Sequence, residues 1–307
     1  MKILLLGKNG QLGWELQRSL ASLGEVVACG RAEADLAKLP DLRALVRKIS
    51  PQVIVNAAAF TAVDKAESEP DPAFLINGEA VDLLAEETRL LNAWFIHYST
   101  DYVFDGTKKE PYLETDATAP LGIYGKSKLS GEEAIRASGC RHLILRTSWV
   151  YAARGNNFIK TILRLAGERD ELKVVFDQIG APTSAELLAD VTACCLYRSK
   201  YDATFASQHG GTYHLVASDS TSWHGFAQFV LDEALRHGVR LRATSENVLA
   251  IPTSGYPLPA KRPSNSRLAT QKISSTFGLE LPSWQLHAKR IIAEIVNSNG
   301  LIDKRNP

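Results

Sequence analysis

In the first two thirds of the chain, segments with two different spacings of apolar residues alternate. Short, continuously apolar runs are typical of strands buried on both faces, and the stretches between them carry apolar residues every three or four positions, as helices do. This alternation predicts an α/β fold with a doubly wound, mainly parallel sheet. The predicted strands are residues 2–6, 25–30, 51–60, 93–99, 141–148, 172–176 and 212–217, and the predicted helices are 11–24, 39–50, about 71–90, one around Tyr124, and 185–197.

The alternation ends at about residue 219. A predicted helix from Trp223 to about His237 is followed by a proline-rich stretch, residues 250–268, which is typical of an ordered loop, and by a last helix from about residue 282. We expect this tail to form a smaller lobe over the sheet. The expected division is residues 1–148 and about 170–218 for the sheet domain, and about 149–169 and 219–307 for the lobe.

The bulk composition excludes several classes of protein. Lys and Arg number 35 against 34 Asp and Glu, so no basic surface for nucleic acid or an anionic membrane is expected. The apolar run at residues 3–6 is too short for a secretion signal or a membrane span. The four cysteines lack the spacing of zinc ligands, and reduced thiols are expected for Cys29, Cys140, Cys194 and Cys195. We therefore expect a cytoplasmic protein.

Three glycines between the first strand and the first helix indicate a ligand. Gly7, Gly10 and Gly13 have the spacing G-x-x-G-x-x-G. Glycine permits the tight turn, lets the backbone approach a pyrophosphate and allows the helix to pack closely on the strand. The alternative is a glycine-rich turn without a ligand. We favour a Rossmann-type dinucleotide site, which makes the sheet domain the dinucleotide-binding unit.

The end of the second strand bears on the choice of cofactor. An acidic residue at this position holds the adenosine ribose in many NAD binders, but Gly30 stands here and Arg31 follows. A guanidinium without a neighbouring carboxylate favours the 2′-phosphate of NADPH, and Lys8 adds a second cation. The alternatives are that Arg31 is a solvated charge and that NADH is also used.

A tyrosine and a lysine four positions apart indicate proton transfer beside this cofactor. Tyr124 and Lys128 lie on one face of a predicted helix, and Ser99 and Thr100 supply a hydroxyl after the fourth strand. A phenol titrates near ~10. We expect the ammonium of Lys128 to lower the pKa of Tyr124 and to bond the nicotinamide ribose.

Several further segments accompany the glycine loop, namely "NAAAFTAVDKAE", "YSTDYVFDG", "YGKSK", "RTSWVY", "DQIGAPTSAELLAD" and "YPLPAKRPSNSRL". On these segments the chain resembles the extended short-chain dehydrogenase/reductase family, and within it the dTDP-4-dehydrorhamnose reductase family. This likeness implies NADPH-dependent reduction of the C4 ketone of dTDP-4-dehydro-L-rhamnose to dTDP-L-rhamnose, a precursor of cell-surface polysaccharide. It also implies a nucleotide-sugar-binding role for the C-terminal lobe.

The resemblance also implies roles for individual residues. Tyr124 matches the proton donor, Lys128 its lysine and Thr100 the hydroxyl. Phe60 and Gly30 depart from the family's usual histidine and acid, which bears on cofactor preference. The positions that match cofactor contacts are Gly10, Gln11, Leu12, Asp35, Leu36, Ala59, Phe60 and Thr61, and those that match substrate contacts are Thr100, Asp101 and Trp149.

Two further sets of charged residues are weaker candidates. Arg262 and Lys261, in the proline-rich stretch, are expected to meet the substrate diphosphate, and the alternative is an exposed basic loop. By resemblance to some relatives, three carboxylates on helices are expected to hold Mg²⁺ at the interface of a homodimer, and the alternative is that they are solvated. These carboxylates are Glu15, Glu186 and Asp190.

Three other functions are compatible with such a chain. A nucleotide-sugar dehydratase of the same superfamily needs an Asp-Glu pair after the threonine, whereas Asp101 is followed by Tyr102, and an epimerase keeps NAD tightly bound. A non-catalytic regulatory subunit has no need of Thr100, Tyr124 and Lys128. Reduction of a ketone accounts best for the residues that are present.

Overall fold

A parallel sheet of six strands lies at the centre of the computed structural model, which describes residues 1–201 and 208–298. Six further strands of the described residues pair outside it. The strands are β1 (Lys2–Leu6), β2 (Glu25–Cys29), β3 (Val53–Asn56), β4 (Trp94–Thr100), β5 (Arg141–Thr147), β6 (Val150–Tyr151), β7 (Leu172–Val175), β8 (Ile179–Gly180), β9 (Thr183–Ser184), β10 (Gly211–His214), β11 (Thr221–Ser222) and β12 (Val248–Ile251).

The order of strands across the central sheet is β10-β5-β4-β3-β1-β2, and every neighbouring pair is parallel. The chain runs outward from β1 to β2 and then returns to β3 on the other side of β1. Such a reversal opens a crevice at the carboxyl ends of β1 and β3, where open parallel sheets bind ligands. The predicted doubly wound parallel sheet is confirmed.

Alternate residues of each central strand enter different hydrophobic cores. In β1, Ile3 and Leu5 pack in one core, whereas Leu4 and Leu6 pack in another. All four side chains are fully buried. Because successive side chains of a strand point to opposite faces, the sheet is covered on both sides, which explains its continuously apolar strands.

Eleven α-helices occur in the described part of the chain. Helices α1 and α8 pack together against one core, and α2, α5 and α6 surround the other. Nowhere in the two described ranges is a helix both long and apolar enough to cross a bilayer. The helices are α1 (Gln11–Leu20), α2 (Leu39–Ile49), α3 (Val63–Ser68), α4 (Pro70–Phe74), α5 (Ala80–Leu90), α6 (Ile123–Ser138), α7 (Phe158–Glu168), α8 (Ala185–Tyr201), α9 (Trp223–Arg236), α10 (Gln271–Phe277) and α11 (Trp284–Ser298).

One predicted strand belongs elsewhere. Residues 172–176 were expected to continue the parallel sheet, but β7 pairs with β12 instead, beside α9. Lys173 is the exposed side chain of β7, whereas Leu172, Val174 and Val175 are buried, and α9 packs on both β7 and β12. The division of the chain at about residue 170 stays a prediction.

The proline-rich stretch returns to the sheet domain as an ordered segment. Short bridges join Leu268 to Tyr112 and Asn265 to Ile179. The Asn265 amide also donates to the carbonyls of Lys108 and Glu110, at 2.7 and 2.8 Å. The proline-rich stretch is thereby tied to the loop that follows β4, next to the crevice.

Candidate active site

The loop between β1 and α1 requires glycine at two of its three positions. Gly7 has a φ of +86°, and a Cβ there would lie 2.8 Å from the Ala58 nitrogen. A Cβ on Gly13 would overlap the Gly7 carbonyl oxygen. Gly10 precedes the first turn of α1, and no side chain in the described structure caps that turn. Its backbone N–H groups can therefore bind an anion.

A cavity of about 710 Å³ opens at the carboxyl ends of the central strands. It brings together most of the residues predicted for the cofactor, the substrate and proton transfer. Gly13, Phe60 and Arg262 are absent from its described lining. The predicted residues that line it are Gly7, Gly10, Gln11, Leu12, Arg31, Asp35, Leu36, Ala59, Thr61, Thr100, Asp101, Tyr124, Lys128 and Trp149.

The end of β2 has a carboxylate that sequence reasoning missed. Glu33 Oε2 accepts a hydrogen bond from the Gly30 N–H at 2.8 Å, and its Oε1 lies 2.6 Å from Lys8 Nζ. These two contacts, first that with Lys8, hold the pKa of Glu33 below its usual value. The expectation that no carboxylate lies near the end of β2 and that Lys8 is free to bind the cofactor is therefore wrong. Arg31 is 83% exposed, at 3.6 Å from Asp35.

Lys128 is buried in the wall of the cavity. Its Nζ donates to the Tyr98 carbonyl at 2.6 Å and lies 3.0 Å from His97 Nε2. Burial lowers the pKa of Lys128 to about 8, against the opposing effect of the Glu132 carboxylate. The lysine is therefore held by β4, the strand that ends at Thr100.

Tyr124 does not have the lowered pKa that its spacing from Lys128 suggests. Burial raises the pKa of Tyr124 to about 12, the charge of Asp101 adds to this, and a hydrogen bond with the Thr100 side chain opposes it. Because Lys128 is directed to Tyr98 and His97, the expected lowering is absent in the chain by itself. The phenol keeps its proton across the neutral range.

Thr100 and Asp101 lie together at the end of β4. The Thr100 hydroxyl donates to Asp101 Oδ1 at 3.0 Å and accepts from the Tyr102 N–H at 3.2 Å. Burial raises the pKa of Asp101 to about 6, while hydrogen bonds from Ser266 and Thr100 oppose the rise. Ser266 belongs to the proline-rich stretch, so this stretch reaches the site.

Trp149 presents an aromatic surface at the end of β5. Its backbone is left-handed, with a φ of +50°, and its ring stacks on Trp223 with 3.6 Å between centroids. Gly180 leaves room for the ring, since a Cβ there would come within 2.6 Å of Trp149 Cε2. A β5 loop, α9 and β8 therefore hold this tryptophan in the cavity wall.

Asn77 is a second residue that sequence reasoning missed. Its side chain accepts from the Phe60 N–H at 2.9 Å and donates to the Phe60 carbonyl and to Ser127 Oγ, both at 3.0 Å. Phe60 is thus fixed through its backbone. Asn77 lies in a π-helical turn, residues 75–79, a feature often found near functional sites. The sequence signal that could have identified Asn77 is an asparagine at a buried position of a predicted helix.

Arg262 is engaged outside the cavity lining. Its Nη2 lies 2.8 Å from Asp64 Oδ2, and its guanidinium is 5.8 Å from the centre of the Tyr102 ring. Lys261 is exposed. The prediction that these two cations meet a diphosphate is untested, but the structure pairs Arg262 with α3.

The predicted metal ligands do not form a metal site within this chain. Asp190 Oδ1 accepts from Arg18 and Ser19, and Glu186 lies 3.3 Å from His287 and 3.4 Å from Arg290. No group of three or more His, Cys, Asp or Glu in residues 1–201 and 208–298 is arranged to hold a metal ion. Glu186 and Asp190 are paired with cations instead, whereas Glu15 lies 3.7 Å from Arg18 and its pKa is raised by burial and by the nearby Glu186 and Glu294 carboxylates. A shared site between two subunits stays a prediction.

The glycine loop, the parallel sheet and the convergence of Thr100, Tyr124 and Lys128 on one cavity define a short-chain dehydrogenase/reductase of the extended type. Residues 1–297 match the model of the family described as RmlD substrate binding domain, and the chain belongs to this family. The predicted membership is confirmed.

Relatives of this chain have consistent names. It is 51% identical to a dTDP-4-dehydrorhamnose reductase from Shigella flexneri, over 98% of this chain and 100% of that protein. It is 52% identical to one from Salmonella typhimurium, over 96% and 98%. A crystal structure of dTDP-4-dehydrorhamnose reductase from Bacillus anthracis in complex with NADP is 34% identical, with a TM-score of 0.84 over 95% of this chain and 99% of that one.

Proposed function

We propose that this protein reduces the C4 ketone of dTDP-4-dehydro-L-rhamnose to give dTDP-L-rhamnose, with NADPH as the reductant. The observation that carries the proposal is the single cavity that both the glycine loop and the Thr100, Tyr124 and Lys128 side chains line. The names of the relatives at about half identity supply the substrate.

The glycine loop fits a dinucleotide. The uncapped first turn of α1 offers N–H groups to a pyrophosphate, and Gly10 has open space on its cavity side beyond the Gly7 oxygen at 3.3 Å. NADPH, when bound, supplies the hydride. Arg31 is exposed and available for a 2′-phosphate, whereas Glu33 is neutralised by Lys8. NADH is the alternative cofactor, and the NADP in the Bacillus anthracis structure supports NADPH.

Three side chains of this protein handle the proton. Tyr124 is a protonated phenol at neutral pH, so it donates to the oxygen that becomes an alkoxide. Thr100 hydrogen-bonds the same oxygen. Lys128, held from behind by Tyr98, positions the ribose and sets the local charge. Each of these roles is part of the proposal.

The substrate lies between the sheet domain and the lobe in this proposal. Asp101, with a pKa near 6, and the face of Trp149 line the cavity, and Ser266 brings the lobe to them. A carboxylate orients sugar hydroxyls, and an indole packs on the apolar face of a sugar or base. The predicted division into a dinucleotide-binding domain and a nucleotide-sugar-binding lobe is adopted on this basis.

The competing functions lack support in the geometry. A dehydratase needs a second acid where Tyr102 stands, and burial raises the pKa of Tyr102, whose ring edge packs on Tyr124 at 5.5 Å. A regulatory subunit has no reason to bury Lys128, because an unused buried amine destabilises the fold. We therefore do not adopt either.

The cellular setting is also proposed. Four free cysteines suit the reducing cytoplasm, where the product serves as a precursor of cell-surface polysaccharide. We retain the homodimer as a proposal. Magnesium is left out, because Glu186 and Asp190 are already paired with cations in this chain.

The test is cofactor oxidation that depends on a 4-keto nucleotide sugar. NADPH absorbance is followed after addition of dTDP-4-dehydro-L-rhamnose, its UDP counterpart or dTDP-glucose, which lacks the ketone. We expect oxidation with the first and none with dTDP-glucose, and NMR of the product gives its stereochemistry. Oxidation without a keto sugar, or none with any, contradicts the proposal.

A further inference from the structure

A buried row of side chains lies behind Lys128, on the side away from the cavity. Asn56, His97 and Lys128 are 1%, 0% and 2% exposed. Asn56 Nδ2 lies 3.3 Å from His97 Nδ1, and His97 Nε2 lies 3.0 Å from Lys128 Nζ. They come from the end of β3, from β4 and from α6, so the fold has brought together three elements to form the row.

The backbone fixes the direction of the first hydrogen bond. The N–H of Ala58 can only donate, and it donates to Asn56 Oδ1 at 3.1 Å. The other end of the amide, an NH₂ group with two donors, therefore faces His97 Nδ1. Nδ1 must accept this bond.

The imidazole of His97 is neutral. Burial and the charge of Lys128 both lower the pKa of His97 well below its usual value. A neutral imidazole carries one proton, and when Nδ1 accepts, that proton is on Nε2. The group that faces Lys128 is then an N–H donor.

We propose that Asn56 and His97 form a positioning pair for Lys128, in which the Nε2–H of His97 donates to the nitrogen of the lysine and favours its amine form over the ammonium. An ammonium has three donors and no acceptor, so it opposes an N–H donor at this distance. To accept from an ammonium, His97 must move its proton to Nδ1, which then faces the NH₂ of Asn56. With the proton on Nε2, the His97 N–H faces the ammonium of Lys128, and with the proton on Nδ1 it faces the NH₂ of Asn56. In both arrangements two donors face each other.

The other charges around Lys128 do not change the direction of this effect. Glu132, one turn further along α6, favours the ammonium, but it is shared with Arg146 at 2.6 Å and Arg136 at 3.0 Å. Tyr124, one turn before, is protonated. Asp101, on the 3₁₀ turn packed against α6, acts on Tyr124. Glu67 of α3 is bonded to the start of α6.

Two further contacts fit this assignment. The Tyr98 carbonyl accepts from either form of the lysine, so it holds Nζ in place without selecting its charge. The pKa of about 8 at Lys128 agrees in direction. The inference rests on the proposed function only in giving Lys128 a role in the reaction. The tautomer of His97 is a property of the free protein.

The first experiment needs neither substrate nor cofactor. The full chain, with ¹⁵N-labelled histidine, is examined by long-range ¹H–¹⁵N NMR at about pH 9.5, above the pKa of Lys128, and the His97 signals are assigned by their loss in His97→Leu. We expect Nε2 to carry the proton and Nδ1 to be bare. A proton on Nδ1 at this pH overturns the proposal, whatever the enzyme's activity.

The second experiment reverses the pair. In Asn56→Asp both side-chain oxygens accept, so the Ala58 bond is retained and Nδ1 of His97 becomes the donor. We expect the tautomer to switch and the pKa of Lys128, followed by ¹³Cε NMR of labelled lysine, to rise by about one unit or more, a roughly tenfold gain in proton affinity. The alkaline limb of kcat is expected to move with it. An unchanged tautomer in this variant contradicts the proposal.

A third variant separates the tautomer from the added charge. Asn56→Leu removes the amide without introducing a carboxylate. If Asn56 holds the proton on Nε2, the leucine variant populates both tautomers, and the pKa of Lys128 rises. A fall in that pKa, as greater burial alone requires, opposes the proposal.

Discussion

The carboxylate of Glu67 accepts a hydrogen bond from the backbone N–H of Ile123 at 2.8 Å. An acidic side chain of α3 thus caps the helix that carries Tyr124 and Lys128. Gly122 provides the space, since a Cβ there would overlap Glu67 Oε1. A negative charge at a helix N-terminus is favourable, so this contact both stabilises α6 and fixes the position of its first turn.

We expect Glu67→Ala to lower the free energy of unfolding by about 1 kcal/mol, because a capped N–H loses its acceptor. Glu67→Gln keeps an acceptor and should lose less than half as much. Urea denaturation measures both. Glu69→Ala, which removes a surface ion pair with Lys65, is the matched control and should change little. Equal losses in the Ala and Gln variants at position 67 contradict the capping role.

Tyr124→Phe should retain cofactor binding and lose turnover by about 10²- to 10⁴-fold, because the proton donor is removed and its ring is kept. Isothermal calorimetry with NADPH and steady-state rates test the two parts. Tyr197→Phe, at an exposed position on α8, is the control. Near-normal turnover in Tyr124→Phe rules out the proposed proton donor.

The pH dependence of the same step follows from the raised pKa of Tyr124. The donor is the protonated phenol, which is present below about pH 12 and is lost above it. We therefore expect deprotonation of this group to leave kcat unaffected up to about pH 10. If kcat falls near pH 8 and still does so in Lys128→Met, the pKa of Tyr124 is much lower than about 12 and this prediction is wrong.

Cofactor choice is expected to depend on Arg31 and Glu33 together. Arg31→Ala should remove most of a roughly tenfold preference for NADPH. A solvent-screened contact between a guanidinium and a phosphate changes the affinity by little more than about tenfold. Glu33→Gln should increase the preference by releasing Lys8. Michaelis constants for NADPH and NADH test both, with Arg164→Ala on α7 as control. An unchanged preference in Arg31→Ala contradicts the proposed phosphate contact.

The Glu132–Arg146 pair behind the site is expected to make stability depend on pH. Burial raises the pKa of Glu132, but Arg146, Ser99 and Arg136 outweigh it and the net pKa is lowered. A carboxyl group whose pKa is lower in the folded than in the unfolded chain stabilises the protein at pH values above its unfolded pKa, near 4.5. This stabilisation is lost as the pH falls through the folded pKa.

Replacing Glu132 by Gln leaves Arg146 buried without a counter-ion and should cost about 3–5 kcal/mol. Glu133→Gln, on the exposed side of the same helix turn, should cost less than about 0.5 kcal/mol. Thermal unfolding from pH 8 down to below pH 4 checks both the size of the loss and its pH dependence, since the stabilisation is lost below the unfolded pKa of Glu132. A similar loss in the two variants contradicts the buried-pair argument.

Features governed by the local backbone could be predicted from the sequence. Gly7 is required by its positive φ and Gly13 because a Cβ there would collide with the Gly7 carbonyl, six residues earlier. Buried strands are continuously apolar because both faces are covered. Tyr124, Lys128 and Thr100 could be placed at one site since the ends of neighbouring parallel strands meet at one edge.

Contacts between side chains distant in sequence could not be predicted. Lys128 is held by His97 and Tyr98, which are 31 and 30 residues away, so its direction toward β4 was not visible in the Y-x-x-x-K spacing. Glu33 pairs with Lys8, 25 residues away, because the turn after β2 directs its carboxylate back to the Gly30 N–H and the glycine loop. In the same way, the pattern of β7 correctly indicated a strand but not its partner, which is β12 rather than the central sheet.

The ties from Asn265 and Leu268 to the loop after β4 have an entropic consequence. The proline-rich stretch is joined to this loop by backbone bridges and by the Asn265 side-chain amide before any ligand arrives, so this wall of the site is preorganised and binding loses little chain entropy. Amide hydrogen exchange in residues 265–269 should therefore be slow in the free protein and change less than about threefold on nucleotide-sugar binding. Strong protection acquired only with ligand would instead describe a lobe that closes over its substrate.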